Sequence, residues 1–299
     1  MRRFPLSARA MKVAPLFALG FLGLLAGLRA QEPIISAHCA ILFDANTGKV
    51  IYKKNENERR PVASTQKLLT ALIIAESGEL SAPVTIDRSD MLAAPTKLYL
   101  KMGDTYTRQQ LLTALLVKSP NDAARALARD NAGSIDDFAV KMNARMARLG
   151  GDSSHFVNPN GLPAEDQFST ARDMARVARA VYFNPLLRDI MRMRQCMFHY
   201  ASGKTISLQN TNRVLRTYSF CNGMKTGYTD AAGHCLISSG SWSGKDVIAV
   251  VLGSNKARVW QESASLLAYG LGIKDPQLAS LRVAPSAIPH SSAIPDDEE

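Results

Sequence analysis

Residues 223–253 read GMKTGYTDAAGHCLISSGSWSGKDVIAVVLG, and this stretch decides the architecture. It divides into three candidate strands, Gly223–Tyr228, Gly233–Ser241 and Asp246–Gly253, and Trp242-Ser243-Gly244-Lys245 turns the last two back on each other. Upstream, Cys196–Tyr200 and Lys204–Leu208 flank Ala201-Ser202-Gly203 as another hairpin; downstream, a helix over Ala257–Gly270 closes the body. At the other end of the chain, Ala37–Asp44 and Lys49–Lys53 read as strands joined by the turn Ala45-Asn46-Thr47-Gly48. Between these ends the pattern is helical. Pro61 precedes an apolar stretch, Leu68–Ala75, that reads as a buried helix starting near Ser64. Thr107 and Gln110 form a capping box ahead of four leucines. Helical patterns then follow over Asn121–Asn131, Ile135–Leu149 and Thr170–Tyr182. Strands at both ends with helices between them predict an α+β fold, an antiparallel sheet built from both ends of the chain with a helical middle region.

Hydrophobic residues make up 46% of the 299 and charged residues 21%, which excludes a largely disordered or collagen-like chain. The formal charge is +10, of which Arg2, Arg3, Arg9, Lys12 and Arg29 supply five before any acid occurs. That basic start leads into the apolar run Val13–Leu28 and then Ala30, the layout of a secretory signal over residues 1–30, with an uncleaved N-terminal anchor as the alternative. Either way the body, residues 31–279, is expected outside the cytoplasm. Residues 280–299, rich in proline and ending in four acids, are expected to be a disordered acidic tail. The moderately basic body suits a polyanionic neighbourhood, but no run of five Lys or Arg and no basic–aromatic interleaving points to nucleic acid. In an exported chain Cys39, Cys196, Cys221 and Cys235 can pair in three ways, which the sequence leaves open. With no CxxC and no HxxxH, no metal site and no cofactor are expected.

Three short motifs carry chemistry. Ser64-Thr65-Gln66-Lys67 opens the apolar helix, and i, i+3 spacing puts hydroxyl and amine on one helical face. A serine is a weak nucleophile until a base takes its proton, and a lysine kept neutral by burial or a neighbouring cation is such a base. Ser119-Pro120-Asn121 can present Ser119 and Asn121 to one cleft. Lys225-Thr226-Gly227 lies on a candidate strand, where an ammonium and a hydroxyl suit a carboxylate and Gly227 admits a ligand backbone. Taken alone each has an ordinary reading: a capping serine with a solvated lysine, a turn before a helix, an edge-strand lysine. Together, once each and in this order, with Ser119 55 positions after Ser64 and Lys225 106 positions after Ser119, they are far more specific.

This set is the one shared by class A β-lactamases and penicillin-binding proteins. The chain resembles the serine D-Ala-D-Ala carboxypeptidases, low-molecular-mass penicillin-binding proteins with the DD-peptidase/β-lactamase-like fold. The resemblance runs from Ile35 to Gly272 and includes Asn158-Pro159-Asn160-Gly161-Leu162, Ser169–Met174 and Lys225–Gly233. It implies Ser64 as acylated nucleophile, Lys67 as its general base, Ser119 as proton relay to the leaving D-alanine and Asn121 as holder of the substrate amide. Lys225 and Thr226 would bind the terminal carboxylate beside Gly227, and the backbone N–H groups of Ser64 and Tyr228 would form the oxyanion hole. It implies peptidoglycan stem peptides as substrates and β-lactams as covalent inhibitors. Tyr228 and Asn160 stand where some relatives carry His, and Arg258 is the nearest candidate for an arginine that relatives add beside the carboxylate.

The resemblance also weighs the rivals. A class A β-lactamase needs a deacylating Glu where this chain has His155, with Glu165 and Asp166 the nearest later acids. A DD-endopeptidase cutting D-Ala crossbridges shares the motifs, and a non-catalytic wall-binding protein shares the fold. The C-terminal β-rich domain and amphipathic membrane anchor of many relatives are not expected here.

Overall fold

A computed structural model describes residue 1, residues 32–93 and residues 95–273. The expected signal over residues 1–30 (residue 1 aside) and the expected acidic tail over 280–299 lie outside the described residues. From the N-terminal side come β1 (Cys39–Asp44), β2 (Val50–Lys54), α1 (Lys67–Glu76), β3 (Pro83–Thr85), β4 (Thr105–Thr107), α2 (Arg108–Val117) and α3 (Asn121–Ala132). There follow α4 (Ile135–Arg148), α5 (Ala171–Phe183), α6 (Pro185–Arg192), β5 (Gln195–His199), β6 (Thr205–Gln209), α7 (Arg213–Thr217), β7 (Cys221–Thr229), β8 (Gly233–Trp242), β9 (Lys245–Ser254) and α8 (Val259–Leu271).

The main sheet has the order β2-β1-β9-β8-β7 and is antiparallel throughout. Its two contributions, one from each end of the sequence, meet where β1 pairs with β9, Cys39 opposite Leu252 through Asp44 opposite Val247. The α+β expectation is therefore met. Alternation along β9 sorts its side chains between two cores. Val247, Ala249 and Val251 pack with Val259, Leu266, Leu267 and Leu271 beneath α8. Ile248, Val250 and Leu252 face the helical region. Each such fully buried Val, Leu or Ile contributes about 1.5–3 kcal/mol. Glu262 of α8 ties down the entry to β1, accepting from the N–H groups of Ser36 (2.6 Å) and Ala37 (3.0 Å).

Helix α1 is buried from Lys67 through Ile74, as a helix apolar on all sides must be. The Thr107–Gln110 capping box forms, Gln110 N–H donating to Thr107 Oγ1 (3.1 Å) and Thr107 N–H to Gln110 Oε1 (2.8 Å). Hairpin β5–β6 forms a two-stranded sheet of its own, as does β3–β4. The four cysteines are all free thiols, three buried and Cys196 half-buried, so none of the three pairings is formed. Among the described residues no helix is long and apolar enough to cross a membrane.

Candidate active site

A 3-10 turn, Ala63–Gln66, leads into α1 and carries Ser64. Its entry is tight, with Ala63 at φ 48°. Ser64 does not cap the helix: the residue before the turn is Val62, and no side chain accepts there. The hydroxyl of Ser64 is thereby left to the cleft, while Lys67 opens α1 fully buried.

Lys67 Nζ lies 2.7 Å from Ser64 Oγ, 2.7 Å from Asn121 Oδ1 and 2.9 Å from the carbonyl oxygen of Asn160. The ammonium donates to all three. The neutral amine has two N–H bonds and one lone pair, and the two carbonyl oxygens can only accept. The Ser64 hydroxyl is then the one neighbour of these three able to turn and donate to the lone pair. Burial pulls the Lys67 pKa well below that of a free lysine, the nearby Lys225 ammonium pulls the same way, and the Asp122 carboxylate opposes them.

Asn121 stands at the first position of α3, directly after Ser119-Pro120, its N–H donating to the Thr96 carbonyl (2.7 Å). Ser119 is buried between α2 and α3 in a left-handed conformation, φ 71°. Next to Asn121, the fully buried carboxylate of Asp122 accepts from the N–H groups of Leu98 (3.1 and 3.0 Å), Leu100 (3.3 Å) and Ala123 (2.9 Å). It pins the 98–100 segment to the start of α3. Asp122→Asn turns one of those acceptor oxygens into an NH2 group facing N–H donors. We expect a loss of about 1–3 kcal/mol, read as a lower urea midpoint. An unchanged midpoint would show that the carboxylate pins nothing.

Strand β7 forms the opposite wall. A Cβ on Gly227 would stand 2.8 Å from the Ser64 nitrogen and 2.9 Å from that of Thr65, so the strand lies flat on the Ser64 turn because position 227 has no side chain. Lys225 is wholly buried, with Nζ donating to the Thr226 carbonyl (3.0 Å), and burial draws its pKa down to about 7. The Tyr228 side chain is exposed; its hydroxyl donates to Asp230 (2.7 Å) and its ring lies 4.4 Å from that of His234. Arg258 sits exposed at the N-cap of α8, its backbone N–H on Asn255 Oδ1. His155 is exposed, its Nδ1 2.8 Å from the Asp166 carbonyl oxygen.

Direct hydrogen bonds thus join Ser64, Lys67 and Asn121, while Gly227 brings the Lys225–Tyr228 strand against Ser64. Three contributors went unread in the sequence. The Asn160 carbonyl is a main-chain group, and the quoted loop Asn158–Leu162 signalled it only through Gly161, where a Cβ would stand 2.1 Å from the Ala63 oxygen. Asp122 reads as an ordinary first-turn acid. Thr211, whose Oγ1 lies 2.7 Å from that of Thr226, sits in a loop with no motif.

A serine hydroxyl thus rests on a buried lysine at a helix start, walled by an antiparallel strand, in the DD-peptidase fold. The chain belongs to the D-alanyl-D-alanine carboxypeptidase family, whose profile matches residues 27–256. It is similar to the D-alanyl-D-alanine carboxypeptidase DacF of Bacillus subtilis, 33% identical over 77% of this chain and 60% of that protein, so it spans less than two thirds of that relative. It is also similar to an Escherichia coli D-alanyl-D-alanine endopeptidase, 30% identical over 87% of this chain and 89% of the relative. The crystal structure of a D-alanyl-D-alanine carboxypeptidase from Mycobacterium tuberculosis superposes with a TM-score of 0.78, 32% identity, and coverage of 85% and 97%.

Proposed function

We propose that this chain removes the terminal D-alanine from peptidoglycan stem pentapeptides through an acyl-enzyme on Ser64. The observation that carries the reading is the contact set of Lys67: two carbonyl acceptors and one hydroxyl around a buried amine whose pKa is depressed. Lys67 takes the Ser64 proton as Oγ attacks the penultimate D-Ala carbonyl carbon. The oxyanion is held by the N–H groups of Ser64 and Tyr228, which the close approach at Gly227 supports. Collapse breaks the C–N bond, and the proton passes through Ser119 to the departing amine. Asn121 holds the substrate amide, and Lys225 with Thr226 holds the terminal carboxylate. Water then attacks the ester carbonyl, releasing the shortened stem and regenerating the Ser64 hydroxyl. A β-lactam enters as the same acyl donor. The site acts on the exported side of the cell, a reading supported by the basic–apolar pattern of residues 1–30.

The test is D-alanine release from diacetyl-L-Lys-D-Ala-D-Ala with and without penicillin, and mapping of the penicilloyl adduct by mass spectrometry. Release that penicillin blocks, with the adduct on the Ser64 peptide, is the expected result; an adduct elsewhere overturns the assignment. The endopeptidase reading is favoured by one observation, the similarity to an endopeptidase over 87% of this chain. It predicts penicillin labelling of Ser64 together with cleavage of cross-linked muropeptides and no D-alanine release.

A further inference from the structure

The proposed carboxylate subsite has two named donors, the Lys225 ammonium and the Thr226 hydroxyl. Lys225 is wholly buried, and one of its N–H bonds is already directed at the Thr226 carbonyl (3.0 Å). The other named partner, the Thr226 hydroxyl, is itself paired with Thr211, Oγ1 to Oγ1 at 2.7 Å. Thr211 belongs to the segment joining β6 to α7, and that segment is rigidly built. The buried Asn210 side chain donates to the Met193 carbonyl (2.9 Å) and accepts from the Asn212 N–H (2.9 Å). Asn212 is fully buried and caps α7, accepting from Val214 N–H (3.0 Å) and Leu215 N–H (3.3 Å). Between these clamped neighbours, the Thr211 N–H donates to the Val117 carbonyl (3.1 Å), two residues before Ser119. Thr211 is therefore fixed where the helix end leading to Ser119 meets the strand carrying Lys225 and Thr226, and both threonines remain half-buried.

Two hydroxyls share two O–H bonds, and their mutual hydrogen bond uses one. A carboxylate can accept from both at once, because each hydroxyl turns about its C–O bond at little cost. Hydrogen bonds to a charged acceptor are roughly twice as strong as neutral ones, so the exchange favours an anion. We propose that Thr211 is a substrate-binding residue of the carboxylate subsite, closing with Thr226 as a paired-hydroxyl clamp that selects peptides ending in a free carboxylate. The proposal rests on the carboxypeptidase reading and adds to it a residue from a separate loop.

The experiment compares Thr211→Val, which keeps the β-branched shape, and Thr211→Ser, which keeps the hydroxyl. For each, kcat/KM is measured on diacetyl-L-Lys-D-Ala-D-Ala and on its C-terminal amide, by chromatography of the released D-alanine or D-alaninamide. The reported quantity is the acid-to-amide ratio, in which partial misfolding cancels. It should fall about tenfold in Thr211→Val, the worth of one charge-assisted hydrogen bond, and return to the wild-type value in Thr211→Ser. A ratio equal to wild type in Thr211→Val overturns the clamp and leaves the carboxypeptidase reading standing. Absence of release by the wild-type chain overturns both.

Discussion

Replacing Lys67 with methionine should slow acylation of Ser64 by penicillin by about 10²–10⁴-fold, the usual contribution of a positioned general base. Lys67→Arg should be just as slow. Methionine fills a similar volume without a lone pair on nitrogen, and arginine keeps a positive charge but stays protonated at all accessible pH values. A lysine that worked only by its charge would be rescued by arginine. A lysine that takes the Ser64 proton would not, and the 2.7 Å contact with Ser64 beside two acceptor-only carbonyls supports that role. The pH profile gives a second readout. The Lys67 pKa is lowered in the folded protein, so the neutral amine is present above that lowered pKa and is lost as pH falls through it. Wild-type acylation should therefore show an acid limb well below 10.5, and the limb should vanish in both variants. Stability follows the same shift. Between the lowered pKa and 10.5 the unfolded chain binds the extra proton, so stability rises with pH there. Methionine removes the Lys67 share of that rise, while Lys225, drawn down to about 7 by burial, keeps its own. Fluorescent-penicillin kinetics with thermal midpoints recorded alongside check all three expectations. Wild-type rates in Lys67→Arg would remove the base from the mechanism.

Much of this arrangement was legible because the relevant signals are local. The runs from Gly223 to Gly253 became β7, β8 and β9 with boundaries within two residues, since strand alternation and the Trp242–Lys245 turn are encoded by adjacent positions. Helix α1 was legible for the same reason: no polar residue other than Thr70 interrupts Leu68–Ala75. Short elements were not. Helix α7 has five residues and rests on Asn212, while α6 has eight and starts at Pro185, too few for a period to show. Strands β3 and β4, three residues each, exist only because they pair. The site divides along the same line. Ser64 and Lys67 are one turn apart, so their meeting follows from helix geometry. Asn121 meets Lys67 across 54 positions; the family resemblance implied Asn121 only as holder of the substrate amide, and its contact with Lys67 comes from tertiary packing. The Asn160 carbonyl and the Thr211 hydroxyl arrive through tertiary packing of loops, and neither residue type advertises the contact. Conversely, Arg258 had a chemically suitable side chain, and it lies exposed at a helix end.

The loop that brings the Asn160 carbonyl to Lys67 makes the second large prediction. Gly161→Ala should lower kcat/KM for D-alanine release by about 100-fold or more, because a displacement of about 1 Å at a reacting group costs that much. Two effects act at this position. Gly161 has φ +84°, and an L-residue held in the left-handed region costs about 1–2 kcal/mol. The added Cβ would also stand 2.1 Å from the Ala63 oxygen and 2.9 Å from the Ser64 nitrogen. These are backbone atoms of the very turn that carries Ser64, and they cannot rotate aside as a side chain can. Either that turn or the loop must move, and in both cases the Asn160 carbonyl shifts relative to Lys67 Nζ and Ser64 Oγ. Gly203→Ala separates the two effects. Gly203 has nearly the same φ, +85°, with nothing within 4 Å of its Cβ position, and it lies in the β5–β6 turn. That variant should lose about 1–2 kcal/mol of stability and keep its rate of D-alanine release. If Gly161→Ala proves no slower than Gly203→Ala at equal folded fraction, the packing of the Asn158–Leu162 loop on the Ser64 turn does not position Ser64 for the proposed reaction. A large difference in rate would mean that catalysis here depends on the missing side chain at 161 as directly as on the amine at 67.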